Sequence, residues 1–221
     1  MISLVVEAST YEGSTALLDG SSVLGARAVA MRGRDREALM PAVAELLSES
    51  RIAPARIDRI VCGAGPGSFT SLRIAGSISK GLALACGASL IPVSSLALLV
   101  ASRELQQPGR YMTAVDAMRG EQYVQLFEAD AEGDVLALGA LQRVPTPEVE
   151  RMASEFGASV LGPSRHGVER AVPIAAAAAR LTKLIDATPP ADLAAWEPSY
   201  GRLAEAQVKW EAAHGRPLQA R

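Results

Sequence analysis

Apolar residues in the first half of the chain follow two different spacings, and the first of them is typical of strands. Short, nearly continuous apolar runs predict β-strands over residues 2–7, 59–63 and 88–92. Two further runs, residues 14–19 and 22–31, lie on either side of Gly20-Ser21. A glycine-containing pair between two apolar runs predicts a β-hairpin.

The second spacing, in which apolar residues recur every three or four positions, is typical of amphipathic helices. Its clearest example is the series Leu39, Met40, Val43, Leu46 and Leu47. The spacing predicts helices over residues 36–50, 70–86 and 94–104.

The same order of elements begins again after residues 106–109, Gln-Gln-Pro-Gly, which are the best candidate for a linker. The apolar pattern of the second half predicts strands over residues 111–116, 121–128, 134–141 and 158–161, and helices over residues 147–156 and 174–187. In both halves the first strand ends in a carboxylate, Glu7 or Asp116.

This repetition predicts a duplicated α/β fold with two lobes, residues 1–105 and residues 110–221. Two such units side by side describe the ribonuclease-H-like architecture of the actin-like ATPase superfamily. A Rossmann-type sheet is the alternative, but it requires a helix directly after the first strand, where this sequence predicts a hairpin.

Composition narrows the class of protein. The chain has 221 residues, 49% of them hydrophobic, and a formal net charge of −2. This slightly negative net charge argues against a protein that binds nucleic acid on its own, since neutralising phosphates requires a basic face. The start of the chain lacks a basic, apolar signal sequence, and no apolar run reaches the roughly 20 residues that span a bilayer. We therefore expect a cytoplasmic protein without membrane contact, with Cys62 and Cys86 as buried free thiols.

Three glycines and a proline in residues 63–67 demand a sharp backbone path between a strand and a helix. Ser68 or Thr70 can cap that helix, whose first N–H groups favour an anion. The loop lacks the lysine of a P-loop, the third glycine of a dinucleotide fingerprint and a G-x-S-x-G elbow. It is either a tight turn that seats the helix or a specialised loop that contacts an anion or a partner.

The helix that follows is apolar around most of its circumference, which is typical of a helix packed on two sides. Arg73, Ser77 and Lys80 share one narrow face, and the small residues Ser77, Gly81 and Ala85 recur every four positions. Small residues in a row allow another helix to approach closely. We therefore expect one side of this helix to contact a second subunit, unless the helix over residues 36–50 alone covers it.

Few residues suit a catalytic centre. Glu7, Ser9 and Thr10 end the first strand, where actin-like ATPases carry an Asp-x-Gly-Thr turn that holds phosphates. With glutamate as the carboxylate and no glycine, the turn makes a weak metal site, and Glu7 is alternatively a buried carboxylate bonded to nearby N–H groups. His166 and His214 are 48 residues apart and match no zinc-protease motif.

The C-terminal tail, residues 197–221, is either an amphipathic helix that caps the fold or a contact surface for tRNA or a partner.

Several segments, in the same order, resemble the TsaB (YeaZ) family. Met1–Thr10 resembles its MILAIDTST opening, and Gly65–Lys80 resembles its GPGSFTGLRIG signature most closely. The further matches are to the motifs HSExLLP, VSSL, AxDARRGEVY and PxYLR, at residues 35–41, 93–96, 114–123 and 198–202. Glu7, Asp35 and Met118 depart from the family pattern.

The resemblance implies a non-catalytic, glycoprotease-like subunit that binds a TsaD-like catalytic protein. Together with a TsaE-like ATPase, that complex forms N6-threonylcarbamoyladenosine at position 37 of tRNAs that read ANN codons. The resemblance further implies a homodimer when the chain is alone, contact with tRNA only through the complex, and no catalytic residue or metal. The resemblance also implies that this chain binds no cofactor tightly and that ATP or ADP can bind at the level of the complex.

We expect three groups of residues to serve this function. The partner interface comprises Leu39, Met40, Val43, Leu72, Arg73, Gly76, Ile78 and Lys80. The glycine loop that seats the interface depends on Gly65, Gly67, Ser68 and Thr70. A vestigial nucleotide cleft comprises Glu7, Ser9, Thr10 and Asp116.

Two enzymatic alternatives remain open. The first is an ATP-binding ATPase or small-molecule kinase that uses Glu7 and Asp116 across the cleft between the lobes. The second, disfavoured by the histidine count, is a metallopeptidase of the glycoprotease group.

Overall fold

A computed structural model describes residues 1–31, 37–104, 107–163, 169–201, 210 and 213–215. In chain order, the first lobe contains β1 (Ile2–Glu7), β2 (Glu12–Asp19), β3 (Ser22–Ala30), α1 (Leu39–Ser50), β4 (Arg59–Gly63), α2 (Phe69–Cys86), β5 (Ser89–Val93) and α3 (Ser95–Ala101). The second lobe contains β6 (Gly109–Asp116), β7 (Glu121–Ala129), β8 (Val135–Ala137), β9 (Gln142–Pro145), α4 (Val149–Glu155), β10 (Ser159–Gly162), β11 (Glu169–Arg170) and α5 (Thr182–Ala187). Short 3₁₀ turns at Pro54–Arg56, Thr146–Glu148 and Ala175–Arg180 complete the described elements.

The two sheets have the same topology. The first has the order β3-β2-β1-β4-β5, with β1 antiparallel to β2 and parallel to β4. The second has the order β8-β7-β6-β10-β11, with β6 antiparallel to β7 and parallel to β10. Each lobe thus begins with three antiparallel strands and adds two parallel ones. The predicted duplicated, two-lobe ribonuclease-H-like fold is confirmed.

Several predicted elements differ in detail from the structure. The helix predicted over residues 147–156 is a 3₁₀ turn followed by α4, and β11 was not predicted. The strand predicted over residues 134–141 is two strands, because β8 and β9 pair with opposite halves of β7. The helix predicted over residues 174–187 is divided at Leu181 into a 3₁₀ turn and α5. The helix predicted over residues 94–104 ends at Ala101, and the Ser94 hydroxyl caps its start by accepting from the N–H groups of Leu96 and Ala97.

Alternation along β1 explains why the first sheet has helices on one face and the second lobe on the other. Leu4 and Val6 point to the core under α1 and α2. Val5 points to a second core, which includes all the apolar residues of α3 together with Tyr123 and Phe127 of the second sheet. The helix α3 is therefore buried between the two lobes.

The duplication is incomplete on the outer face of the second lobe. In the first lobe, the 18-residue helix α2 connects the parallel strands β4 and β5. Only residues 163–168 connect the corresponding strands β10 and β11, which is too short a stretch for a helix of that length. The helix α2 and its outer surface consequently have no counterpart of the same length between β10 and β11.

Residues from the second half of the chain return to the first lobe. The N–H of Ala175 donates to the Ser14 hydroxyl at 2.9 Å, and the N–H of Ala191 donates to the Leu90 carbonyl at 2.8 Å. We call residues 191–201, which continue across the first lobe, the C-terminal strap. The lobe boundary near residues 105–110 stays a prediction. No helix among the described residues is long and apolar enough to cross a membrane.

Two glycines inside α2 provide a matched stability test. A Cβ at Gly81 meets nothing within 4 Å, whereas a Cβ at Gly76 lies 3.0 Å from Pro198 Cγ. Alanine inside a helix is favoured over glycine by about 0.5–1 kcal/mol. We expect Gly81→Ala to raise the free energy of unfolding by about that amount, and Gly76→Ala to gain less because Pro198 must move.

Urea unfolding followed by circular dichroism measures both variants against the parent chain. An equal gain at the two positions would contradict the observed packing of the strap on Gly76.

Candidate functional site

The glycine loop, residues 63–68, packs directly against backbone from two other parts of the chain. Gly65 has φ +87°, and a Cβ there would lie 2.3 Å from the Ser199 carbonyl oxygen. A Cβ at Gly67 would lie 2.1 Å from the Ser9 carbonyl oxygen. Real Cβ atoms do not approach oxygen so closely, so both positions require glycine. The tight-turn interpretation therefore accounts for both glycines.

Hydrogen bonds hold this loop at both ends. The N–H of Ala64 donates to the Val93 carbonyl at 2.7 Å, and the N–H of Ser68 donates to the Ser9 carbonyl at 2.7 Å. The N–H of Gly65 donates to the Ser95 hydroxyl at 3.0 Å, and the Gly65 carbonyl accepts from the Ser95 N–H at 3.0 Å. The loop is thus fixed to β5, α3 and the turn after β1.

Ser95 also connects the loop to Glu7. The Glu7 carboxylate is fully buried and accepts from the Ser9 N–H at 2.5 Å and from the Ser95 hydroxyl at 2.8 Å. Burial raises the pKa of Glu7 above its ordinary value of 4.5, although both hydrogen bonds act in the opposite direction. A Cβ at Gly63 would lie 1.7 Å from Glu7 Oε2, so this glycine makes room for the carboxylate. Glu7 matches the alternative of a buried carboxylate bonded to nearby N–H groups.

The four residues expected to form a nucleotide cleft lie in two different environments. Glu7, Ser9 and Thr10 are buried at the end of β1, and the Thr10 hydroxyl donates to the Glu12 carbonyl. Asp116 is exposed at the end of β6, where its carboxylate accepts from the N–H of Met118 at 2.8 Å. A nucleotide cleft formed by these residues stays a prediction.

The expected side-chain cap of α2 is not formed. Ser68 occupies the N-cap position of α2, but its side chain makes no capping hydrogen bond and instead pairs with the Ser71 hydroxyl at 3.1 Å. Thr70 lies in the first turn of the helix and is exposed. The prediction that Ser68 or Thr70 caps the helix through its side chain is therefore corrected, because the Ser68 hydroxyl is directed to another hydroxyl.

Four of the residues predicted to contact a partner are buried within this chain. Leu39, Val43 and Leu72 are completely inaccessible to solvent. Gly76 is buried beneath the strap, beside Pro198 and Trp196. The structure corrects the prediction for these four residues. Leu39 and Val43 lie in the core between the helices and the first sheet, and Leu72 is buried beside Gly65 of the glycine loop. The small size of Gly76 is needed inside the chain.

The remaining four residues lie at or near the surface. Met40 is 40% exposed and Arg73 is exposed, whereas Ile78 and Lys80 are half-buried. The Lys80 ammonium lies 5.9 Å from the centre of the Trp196 ring, within range of a cation–π contact. A partner contact by these residues stays a prediction.

The outer surface of α2 carries a residue that the sequence reasoning missed. Leu84 is 77% exposed and lies on one face with the exposed residues Arg73, Ser77 and Gly81. We call these four residues the α2 stripe. The seven-residue spacing from Ser77 to Leu84 could have placed this leucine beside the small residues.

The two cysteines and the described histidine lie in separate environments. Cys62 is buried, which raises the pKa of its thiol to about 12, and Cys86 is a half-buried free cysteine. Both cysteines are free, as predicted, but the prediction that both are buried is correct only for Cys62. Across the described ranges, no group of three or more His, Cys, Asp or Glu residues could hold a metal ion. The ring of His214 stacks on Trp210, while His166 and Asp35 lie outside the described residues.

Comparisons with known proteins agree with the resemblance seen in the sequence. The model of the family described as TsaD, tRNA N6-adenosine threonylcarbamoyltransferase, matches residues 34–195, which is more than half of the chain. The tRNA threonylcarbamoyladenosine biosynthesis protein TsaB of Haemophilus influenzae is 33% identical over 121 residues, 54% of this chain and 51% of that protein. The TsaB protein of Bacillus subtilis is 32% identical over 128 residues, 58% of this chain and 56% of that protein. The chain thus spans about half the length of the curated relatives it matches.

Solved structures give matches over more of the chain. A Pseudomonas aeruginosa protein described as uncharacterised, with similarity to peptidase YeaZ, superimposes with a TM-score of 0.77 at 26% identity, covering 91% of this chain and 99% of that one. YeaZ from Pseudomonas aeruginosa superimposes with a TM-score of 0.76 at 27% identity, covering 90% and 99%.

Gly67 provides a test of the contact between the loop and the turn after β1. Gly67→Ala places a methyl group against the Ser9 carbonyl, and backbone must move to accommodate it. We expect a loss of about 2 kcal/mol or more in the free energy of unfolding, measured by chemical denaturation. Gly139→Ala is the matched control, since a Cβ at Gly139 meets nothing within 4 Å. Equal stability of the two variants would refute the close approach.

Glu7 provides a test by pH. Since burial raises its pKa, the folded protein binds this proton more tightly than the unfolded chain does. The contribution of Glu7 to stability is therefore greatest at pH values below about 4.5 and declines as the pH rises through the raised pKa. We expect this component to be absent in Glu7→Gln, so the stability of the variant relative to the parent chain should increase with pH.

Urea unfolding of both proteins between about pH 4.5 and pH 8, the range into which burial shifts such a carboxyl group, measures the difference. Parallel pH profiles would show that Glu7 ionises normally in the folded protein.

Proposed function

Because the chain belongs to the TsaD family, and within it to the TsaB (YeaZ) proteins, we propose that it acts in forming N6-threonylcarbamoyladenosine on tRNA. In this proposal the chain is a subunit that binds a TsaD-like catalytic protein and does not carry the reaction itself. The modified position is adenosine 37 of tRNAs that read ANN codons. The names of the curated relatives support the pathway.

The observation that supports a binding role best is the α2 stripe. A leucine that is 77% exposed stands among the small residues Ser77 and Gly81 on an 18-residue helix. Burial of a leucine side chain stabilises an association by about 1.5–3 kcal/mol, and small neighbours allow helix axes to approach to roughly 8–10 Å. The stripe thus has the chemistry of a helix-packing surface.

The geometry of the glycine loop supports a structural role for the residues that resemble a nucleotide site. The Glu7 carboxylate already accepts two hydrogen bonds from this chain. The loop is in close contact with the carbonyls of Ser9 and Ser199, so its glycines serve packing within the chain. These contacts position the start of α2, and with it the proposed partner surface.

The remaining partners follow from the same assignment. We propose that a TsaE-like ATPase joins the complex, that tRNA and ATP or ADP bind at the level of the complex, and that the chain forms homodimers through α2 when the TsaD-like subunit is absent. Such a complex would work in the cytoplasm.

A charged side chain in the middle of the stripe tests the proposal. Ser77→Arg puts a long cation where another helix would pack. We expect the affinity for a TsaD-like protein from the same source to fall by about 2 kcal/mol or more, which is roughly 30-fold. Calorimetry with the two purified proteins measures the affinity.

Ser154→Arg is the control, because Ser154 is an exposed helical serine on α4 of the second lobe. It should bind as the parent chain does. Affinity of the parent chain in Ser77→Arg would place the partner surface elsewhere.

A further inference from the structure

The C-terminal strap runs along one side of α2, antiparallel to it. Trp196 lies over Lys80, Pro198 lies beside Gly76, and the Tyr200 ring packs on Phe69 with the ring centres 4.6 Å apart. Positions 80, 76 and 69 are separated by four and seven residues, so they form a single line along the helix. The strap therefore covers one full face of α2 over about three turns.

The surface beneath the strap, formed by α2 and the glycine loop, is complementary to it in shape. The N–H of Ser199 donates to the Ala64 carbonyl at 2.7 Å, and the Ser199 carbonyl occupies the space above Gly65. Pro198 is buried, and it can approach the helix because position 76 has no side chain. The strap is thus held by complementary shape as well as by a backbone hydrogen bond.

The end of the strap is attached to the second lobe. The hydroxyl of Tyr123, which is 2% exposed in the core shared by the lobes, donates to the Tyr200 carbonyl at 3.0 Å. Gly201 has φ +70°, and a Cβ there would lie 2.4 Å from the Tyr123 ring. The strap consequently links α2 of the first lobe to β7 of the second.

The α2 stripe lies directly beside the strap. The Arg73 guanidinium belongs to the stripe and lies 5.5 Å from the centre of the Phe69 ring, on which Tyr200 packs. Tyr200 is half-buried and Glu197 is exposed, so both residues keep surface that a partner can contact. A helix is about 10–12 Å wide with its side chains, so a helix packed on the stripe reaches the neighbouring face of α2.

We propose that the strap forms the second wall of the partner surface, and that a helix of the TsaD-like subunit, bound to the α2 stripe, holds the strap on its seat. This inference rests on the proposed function, which supplies the occupant of the stripe. The strap surface is continuous with the stripe through Phe69, whose ring contacts both Arg73 of the stripe and Tyr200 of the strap. Because Tyr123 anchors the strap, the position of the second lobe influences binding at the first.

Hydrogen exchange in the full chain, alone and in complex with the TsaD-like protein, tests the proposal. We expect the partner to slow exchange of the Trp196 and Ser199 amides at least tenfold, together with amides of α2. Amides of α4, on the far side of the second lobe, should exchange at the same rate in both samples. Protection of α2 without protection of the strap would overturn this inference and leave the proposed function intact, whereas no protection of α2 would overturn the proposed function.

A substitution beneath the strap, where the partner cannot touch it, independently tests whether the strap controls partner binding. Gly76→Val pushes on Pro198 beneath the strap and leaves the residues of the stripe unchanged. We expect at least tenfold weaker binding of the TsaD-like protein and faster exchange at Ser199, with Gly139→Val as the matched surface control. Trp196→Ala, which removes the ring over Lys80, should act in the same direction if Gly76→Val fails to fold.

Affinity of the parent chain in either folded variant, with a strap that exchanges rapidly, would overturn the proposal. If both variants bind as tightly as the parent chain and the strap stays protected from exchange, the contacts of Gly76 and Trp196 do not control the strap, which would likewise count against the proposal. A second copy of this chain that protects the strap while the TsaD-like protein does not would assign the surface to the homodimer and overturn it as well.

Discussion

Close approach of backbone to backbone around the glycine loop determines how the first lobe is assembled. Three chain segments meet there: the turn after β1, the start of α3 and the C-terminal strap. The contacts at Gly63, Gly65 and Gly67 exist only because those residues have no Cβ, so one methyl group at any of them forces a carbonyl or a carboxylate to move. The direction in which α2 leaves the sheet depends on this arrangement.

Glu7 is part of the same arrangement. Buried carboxylates are costly unless hydrogen bonds compensate for the lost water, and here the Ser9 N–H and the Ser95 hydroxyl supply two. Since Ser95 also bonds to Gly65, the carboxylate connects β1 to the loop and to α3. A residue that resembles part of a phosphate-binding turn thus serves to hold three elements together.

The incomplete duplication explains why the two lobes differ in their surfaces. Both sheets have the same strand order, but the helix between the two parallel strands is long in the first lobe, while a short connection replaces it in the second. The first lobe therefore presents an extra helix, with Leu84 exposed on its outer side. The strap covers the adjacent face of that helix and ties it to the second lobe through Tyr123, which makes the proposed partner surface a product of both lobes.

The sequence by itself determined the order of elements in the first lobe, the duplication and the family, because apolar spacing and the motif at Gly65–Lys80 are local properties of the chain. It also indicated that α2 is packed on more than one side. Only the tertiary structure decided what covers each side, since Gly76 meets Pro198 from a segment 122 residues later in the chain. For the same reason the burial of Leu39, Val43 and Leu72, and the exposure of Leu84, could not be read from periodicity: a helical wheel shows which residues share a face, but the neighbours of that face come from distant parts of the chain.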